Sequence, residues 1–198
     1  MAASRKREAT PVEKAEVRLI RRAGPMLRHP LVETASAAGK IGDQPPLLAL
    51  SGAVMALGLL CRDVKLARTG ARMTLAHMLA TAGKSVGKDN IDRTRPYRSA
   101  DGGRYKAEPG KSRDPGLRSF PSGHTAGAVA VAQAIRREYS GAPGLAAQGA
   151  AALIGLFQIS RRAHFPTDVA AGALIGGVAE AAVAAGARAF WRARDAGR

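Results

Sequence analysis

Three short groups of residues hold the side chains in this chain that are suited to chemistry. The first is Lys88 with Arg95 and Pro96 downstream, the second is Pro121-Ser122-Gly123-His124, and the third runs from Ser160, Arg161 and Arg162 to His164 and Asp168. Alone, each has an ordinary reading. Lys88 and Arg95 read as solvated loop cations, Pro121 and Ser122 as the capped start of a helix, and His164 with Asp168, four apart, as a structural pair on one helical face. Together they compose a phosphate site. The Ser122 hydroxyl and the N–H groups at a helix start suit a phosphoryl group, and Gly123 lets the backbone come close. Lys88, Arg95 and an arginine of the third group balance charge spread over phosphoryl oxygens. Asp168 orients His164 and makes it the better nucleophile, which leaves His124 to protonate the departing oxygen.

The elements that must position these residues read as helices. Residues 44–61 carry no formal charge, and their leucines cover every side of a helix, so the segment is buried in protein or lipid. A basic connector, 62–72, precedes an uncharged helix at 73–83 that contains His77. Residues 84–118 form a long loop rich in Gly, Pro and charge, which a compact domain keeps for function. Three alanine-rich stretches follow, 119–135, 141–159 and 169–187, without strand alternation. The reading is all-α: a membrane-embedded bundle of about five to six helices. With four or five crossings, the basic segments 62–72, 136–144 and 188–198 fall on one side. The positive-inside tendency makes that side cytoplasmic and places the loops 84–118 and 160–168 on the extracytoplasmic face of the cell membrane.

Residues 1–43 form a basic N-terminal segment, with Arg5, Lys6, Arg7, Arg18, Arg21, Arg22 and Arg28 and one amphipathic helix from Val12 to Leu27. No apolar run follows the early cations, so no signal peptide is expected. A helical domain at 44–190 and a basic tail at 191–198 complete the organisation. The net charge of +16 favours polyanionic partners but does not choose among nucleic acid, anionic lipid and phosphorylated substrate. A single cysteine, Cys61, excludes an internal disulfide, and with four scattered histidines it offers no zinc cluster. Gly83-Lys84-Ser85 imitates the end of a P-loop, but the required upstream glycine is Met78, which excludes nucleotide hydrolysis by that route.

In these three groups the chain resembles the type 2 phosphatidic acid phosphatase (PAP2) superfamily, which includes lipid phosphate phosphatases, bacterial class A acid phosphatases and vanadium haloperoxidases. The resemblance covers roughly residues 44–190. Lysine, six residues, Arg-Pro is met by Lys88, Arg95 and Pro96, and Pro-Ser-Gly-His by residues 121–124. The third motif, Ser-Arg, five residues, His, three residues, Asp, is met at His164 and Asp168, but Gln158 stands where its arginine belongs. Arg161 lies about one helical turn from that position, with Arg162 as the alternative.

The resemblance implies phosphate binding by Lys88, Arg95, Ser122 and Gly123, with the missing arginine's part falling to Arg161 or Arg162. It also implies leaving-group protonation by His124 and a phosphohistidine on His164 oriented by Asp168, with no metal and no cofactor. The expected partners are a phosphorylated lipid and the membrane, not nucleic acid. A soluble acid phosphatase, a vanadate haloperoxidase, a basic nucleic-acid-binding protein and an inactive phosphate-binding relative are the competing readings.

Overall fold

In a computed structural model of the chain, the described residues are 8–27, 29, 30, 32, 34, 42–100 and 102–197. Among them are seven helices: α1 (Pro11–Leu27), α2 (Gln44–Leu60), α3 (Val64–Lys88), the single-turn α4 (Pro96–Ala100), α5 (Gly123–Glu138), α6 (Ala142–Ser160) and α7 (Pro166–Ala196). Two three-residue strands, β1 (Ile91–Arg93) and β2 (Ala107–Pro109), pair antiparallel between α3 and α5. The bundle is α2, α3, α5, α6 and α7, with α5 packed on α3, α6 and α7.

Alanine and glycine set how closely these helices approach. Ala126 and Ala130 of α5, Ala76 and Ala80 of α3 and Ala179 of α7 form one buried cluster. A Cβ on Gly172 would lie 2.4 Å from the Ser122 carbonyl oxygen, and one on Gly176 would lie 2.4 Å from that of Ala126. Only glycine at both positions allows α7 to touch the α5 backbone. The outward faces are apolar as well, with Leu57 and Leu59 on α2, Leu153 and Leu156 on α6, and Leu174 and Val178 on α7 exposed. Both α6 and α7 are long and apolar enough to cross a membrane, and α2 is a shorter apolar helix. Leucine turned outward on several helices is the surface of a membrane-embedded bundle.

The basic connector expected at 62–72 is mostly helix. Only Cys61, Arg62 and Asp63 turn the chain, and Asp63 caps α3 by accepting from the Leu66 N–H at 2.9 Å. Arg68 and Arg72 face Glu138 at 2.7 and 3.0 Å, so their charges mark a helix-end partner rather than a loop. Helix α3 then runs unbroken to Lys88, and Lys84 and Lys88 are helical rather than part of the long loop. That loop also holds the strand pair, too short to show alternation. Helix α7 extends to Ala196 and takes in most of the basic tail. Arg5, Lys6, Arg7, Arg28 and Arg198 lie outside the described residues.

Chain direction then puts the chemistry at one end. Helices α2, α5 and α7 begin there while α3 and α6 end there. The amphipathic α1 packs on α4 at this same end, with Ile20 and Leu27 buried against Phe165.

Candidate active site

His124 stands in the first turn of α5, and His164 lies in the turn between α6 and α7. Their ring centroids are 6.3 Å apart, and both line a cavity of about 390 Å³ with Lys88, Arg95 and Gly123. Residues separated by as many as 76 positions thus surround one volume. Lys88 closes α3 and donates from Nζ to the Arg118 carbonyl oxygen at 2.8 Å, while the buried Nε of Arg95 has no hydrogen-bond partner among the described residues. Among the described residues, neither cation has a carboxylate in ion-pair contact. Two cations gathered without counter-ions are arranged for an anion supplied from outside.

His164 and Asp168 do not share a helical turn as the spacing suggested. His164 precedes α7, and Asp168 sits in its first turn with its carboxylate folded back. Asp168 Oδ2 accepts from Ser119 Oγ at 2.6 Å and from the Phe165 N–H at 2.8 Å, and Oδ1 accepts from Arg93 Nη1 at 2.5 Å. His164 Nδ1 is 3.8 Å from Oδ2, beyond hydrogen-bond length. The ring is almost wholly buried, and burial, only partly opposed by Asp168, pushes its pKa down to about 4. The imidazole is therefore neutral at physiological pH, with Nδ1 turned to the carboxylate and Nε2 left for the cavity.

Sequence reasoning missed four side chains that shape this site. Arg93 is buried over the Phe165 ring and binds Glu16 of α1 at 2.7 Å and Tyr105 at 3.0 Å as well as Asp168. Glu16 in turn accepts from the Thr167 N–H and hydroxyl at 2.7 and 2.9 Å. Asp43, just before α2, accepts from His124 Nε2 at 2.5 Å. Lys84, one turn before Lys88, lines the same cavity. Arg93 lies inside the Lys88–Arg95 spacer and Asp43 precedes a Gln-Pro-Pro helix start, but nothing local shows what either touches.

The remaining expected residues are placed as follows. Ser122 is wholly buried, and its hydroxyl caps α5, meeting Thr125 Oγ1 at 2.9 Å, so Ser122 does not line the cavity; Gly123 beside it does. Arg161 caps the C-terminal end of α6 within electrostatic reach of Arg95 and His124. Arg162, at φ 54°, lines a separate cavity with Arg21, Gly24, Pro25 and Ala100. The Gln158 side chain is buried with no hydrogen-bond partner among the described residues, while its backbone carbonyl accepts from the N–H groups of Ala163 and His164 at 3.0 and 3.2 Å and shapes the turn that presents His164.

A sequence model of the PAP2 superfamily matches residues 69–192. No curated protein matches the chain. Among solved structures, LpxE of Aquifex aeolicus is similar at 25% identity, with a TM-score of 0.61 over 88% of this chain and 96% of that one. A transmembrane PAP2 type phosphatidylglycerolphosphate phosphatase from Bacillus subtilis shares the fold at 19% identity, with a TM-score of 0.66 over 91% of this chain and 88% of that one.

Proposed function

The chain belongs to the PAP2 superfamily, and from that premise we propose that it is a metal-independent phosphatase acting on a lipid phosphate or diphosphate at a membrane surface. The observation that carries this reading is the pair of imidazoles, His124 and His164, 6.3 Å apart across a cavity whose cations Lys88 and Arg95 have no ion-pair partner among the described residues. Support for a lipid substrate comes from the apolar outer surface and from the shared fold of a transmembrane phosphatidylglycerolphosphate phosphatase.

The chemistry runs in two displacements. The His164 Nε2 lone pair attacks phosphorus while Lys88, Arg95 and Arg161 neutralise the phosphoryl oxygens. The bond to the leaving oxygen breaks, its electron pair stays on that oxygen, and His124 supplies the proton. Water then attacks the phosphohistidine, giving its proton to His124 and releasing inorganic phosphate. Asp168, fixed by Arg93, Ser119 and the Phe165 N–H, orients His164 and offsets the positive charge that its ring acquires.

Phosphate release from lipid phosphates in the presence of a chelator is the test. Activity should survive chelation and fall at least a thousandfold in His164→Ala. Equal rates in wild type and His164→Ala would reject the mechanism.

A further inference from the structure

Lys84 is the residue whose sequence context imitates a P-loop, and the mechanism above gives it no part. Yet its side chain enters the cavity beside the first turn of α5. A Cβ on Gly123 would lie 2.8 Å from Lys84 Cδ and 3.1 Å from Nζ, so the ammonium rests against the residue next to His124. Nζ also donates to Gln44 Oε1 at 3.1 Å, and Gln44 adjoins the Asp43 that holds His124. Among the described residues, Lys84 has no carboxylate in ion-pair contact.

Lys84 lines the same cavity as Lys88, Arg95 and His164, and its contacts with Gly123 and Gln44 set it beside His124, the group that protonates the departing oxygen. An alcohol leaving group, protonated by His124, has no charge for a third cation to meet. A phosphate leaving group does. The cavity, at about 390 Å³, has room for roughly a dozen groups the size of a water molecule, more than one phosphoryl group fills.

Resting on the phosphatase reading, we propose that Lys84 forms a second anion subsite and that the preferred substrate is a lipid diphosphate. His164 forms its N–P bond to the terminal phosphorus. The bond from that phosphorus to the bridging oxygen breaks, the bridging oxygen keeps the electron pair and takes a proton from His124, and the lipid monophosphate leaves beside Lys84.

Two measurements test this. In the first, kcat/KM is measured for an isoprenyl monophosphate and an isoprenyl diphosphate of equal tail length, in wild type, Lys84→Met and Lys84→Arg. Lys84→Met should lose roughly 10- to 100-fold more on the diphosphate than on the monophosphate, the scale of a hydrogen bond to a charged group, and Lys84→Arg should recover part of the difference. Equal losses on both substrates, or none on either, would overturn the subsite.

The second measurement is calorimetric binding of inorganic diphosphate and inorganic phosphate to His164→Ala, with and without Lys84→Met, which needs no turnover. Diphosphate should bind more tightly than phosphate, and Lys84→Met should remove most of that preference. Equal binding of the two anions would refute the subsite whatever the enzyme hydrolyses. Selective binding without any hydrolysis by wild type would keep the subsite and reject the phosphatase reading.

Discussion

Arg93 donates to Asp168 where both side chains are shut off from water, and the same guanidinium reaches across to Glu16 on α1. One buried cation thus ties the carboxylate behind His164 to the amphipathic helix at the start of the chain. Removing it would leave two carboxylates buried without a counter-charge. Arg93→Met should lower stability by about 3–5 kcal/mol, and Arg93→Lys, which keeps the charge but not the fork, by less. Because Arg93 acts through Asp168, Arg93→Lys should lower kcat with little change in KM. A thermal melt paired with steady-state kinetics checks both, and a KM effect alone would show that Arg93 touches substrate instead.

Much of the bundle was legible in the sequence because lipid-facing and core helices are written as uncharged stretches with ends at Pro and Gly. Residues 44–61, 141–159 and 169–187 predict α2, α6 and the first two-thirds of α7 for that reason. The start of α3 was not legible, because Arg68 and Arg72 look like a loop until Glu138, far along the chain, is brought to them. The same applies to the site. His124, His164, Lys88 and Arg95 are visible as spaced motifs, whereas Asp43, Lys84 and Arg93 acquire meaning only from partners 39 to 81 residues away.

Asp43 gives the next expectation. Its carboxylate holds Nε2 and so orients the His124 ring for proton delivery, and Asp43→Asn should lower kcat by about tenfold or more, a part of the roughly 100- to 10,000-fold that a positioned proton donor contributes. Product release from a substrate with an acidic leaving group, such as p-nitrophenol, should be affected far less, since that oxygen needs no proton. Equal losses on both leaving groups would remove Asp43 from proton delivery.

Arg161 and Arg162 separate cleanly in space. Arg161 lies within electrostatic reach of Arg95 and His124, whereas Arg162 lines the cavity beside Arg21 and Ala100. Arg161→Ala should raise KM by roughly 10- to 100-fold through loss of a charged hydrogen bond to phosphate. Arg162→Ala should leave KM within about threefold of wild type. Inhibition by vanadate, measured in parallel, should weaken only in Arg161→Ala.

The contact between α5 and α7 makes a packing prediction that separates two glycines on the same helix. A methyl group at Gly172 meets the Ser122 carbonyl at 2.4 Å, and backbone cannot yield as a flexible side chain does. Gly172→Ala should cost about 1–3 kcal/mol and reduce kcat, since α5 carries His124. Gly177, with nothing within 4 Å of an added Cβ, should accept alanine and gain up to about 1 kcal/mol from the stiffer backbone. Melting temperatures in one detergent compare them directly.

His164 supplies the pH dependence, and its sign follows from burial. In the unfolded chain the imidazole takes up a proton near its ordinary value of about 6.5, while in the folded protein burial defers this to about 4. The folded state therefore binds fewer protons between those values. The stability linked to the neutral ring is complete above about 6.5 and is lost as the pH falls toward 4. Wild type should lose more thermal stability than His164→Gln over that interval, and the His164 ring carbon resonance should stay at its neutral position at pH 5. A His164 titration near 6.5 would mean that the ring is open to water, and the low-pH persistence of a neutral nucleophile would fall with it.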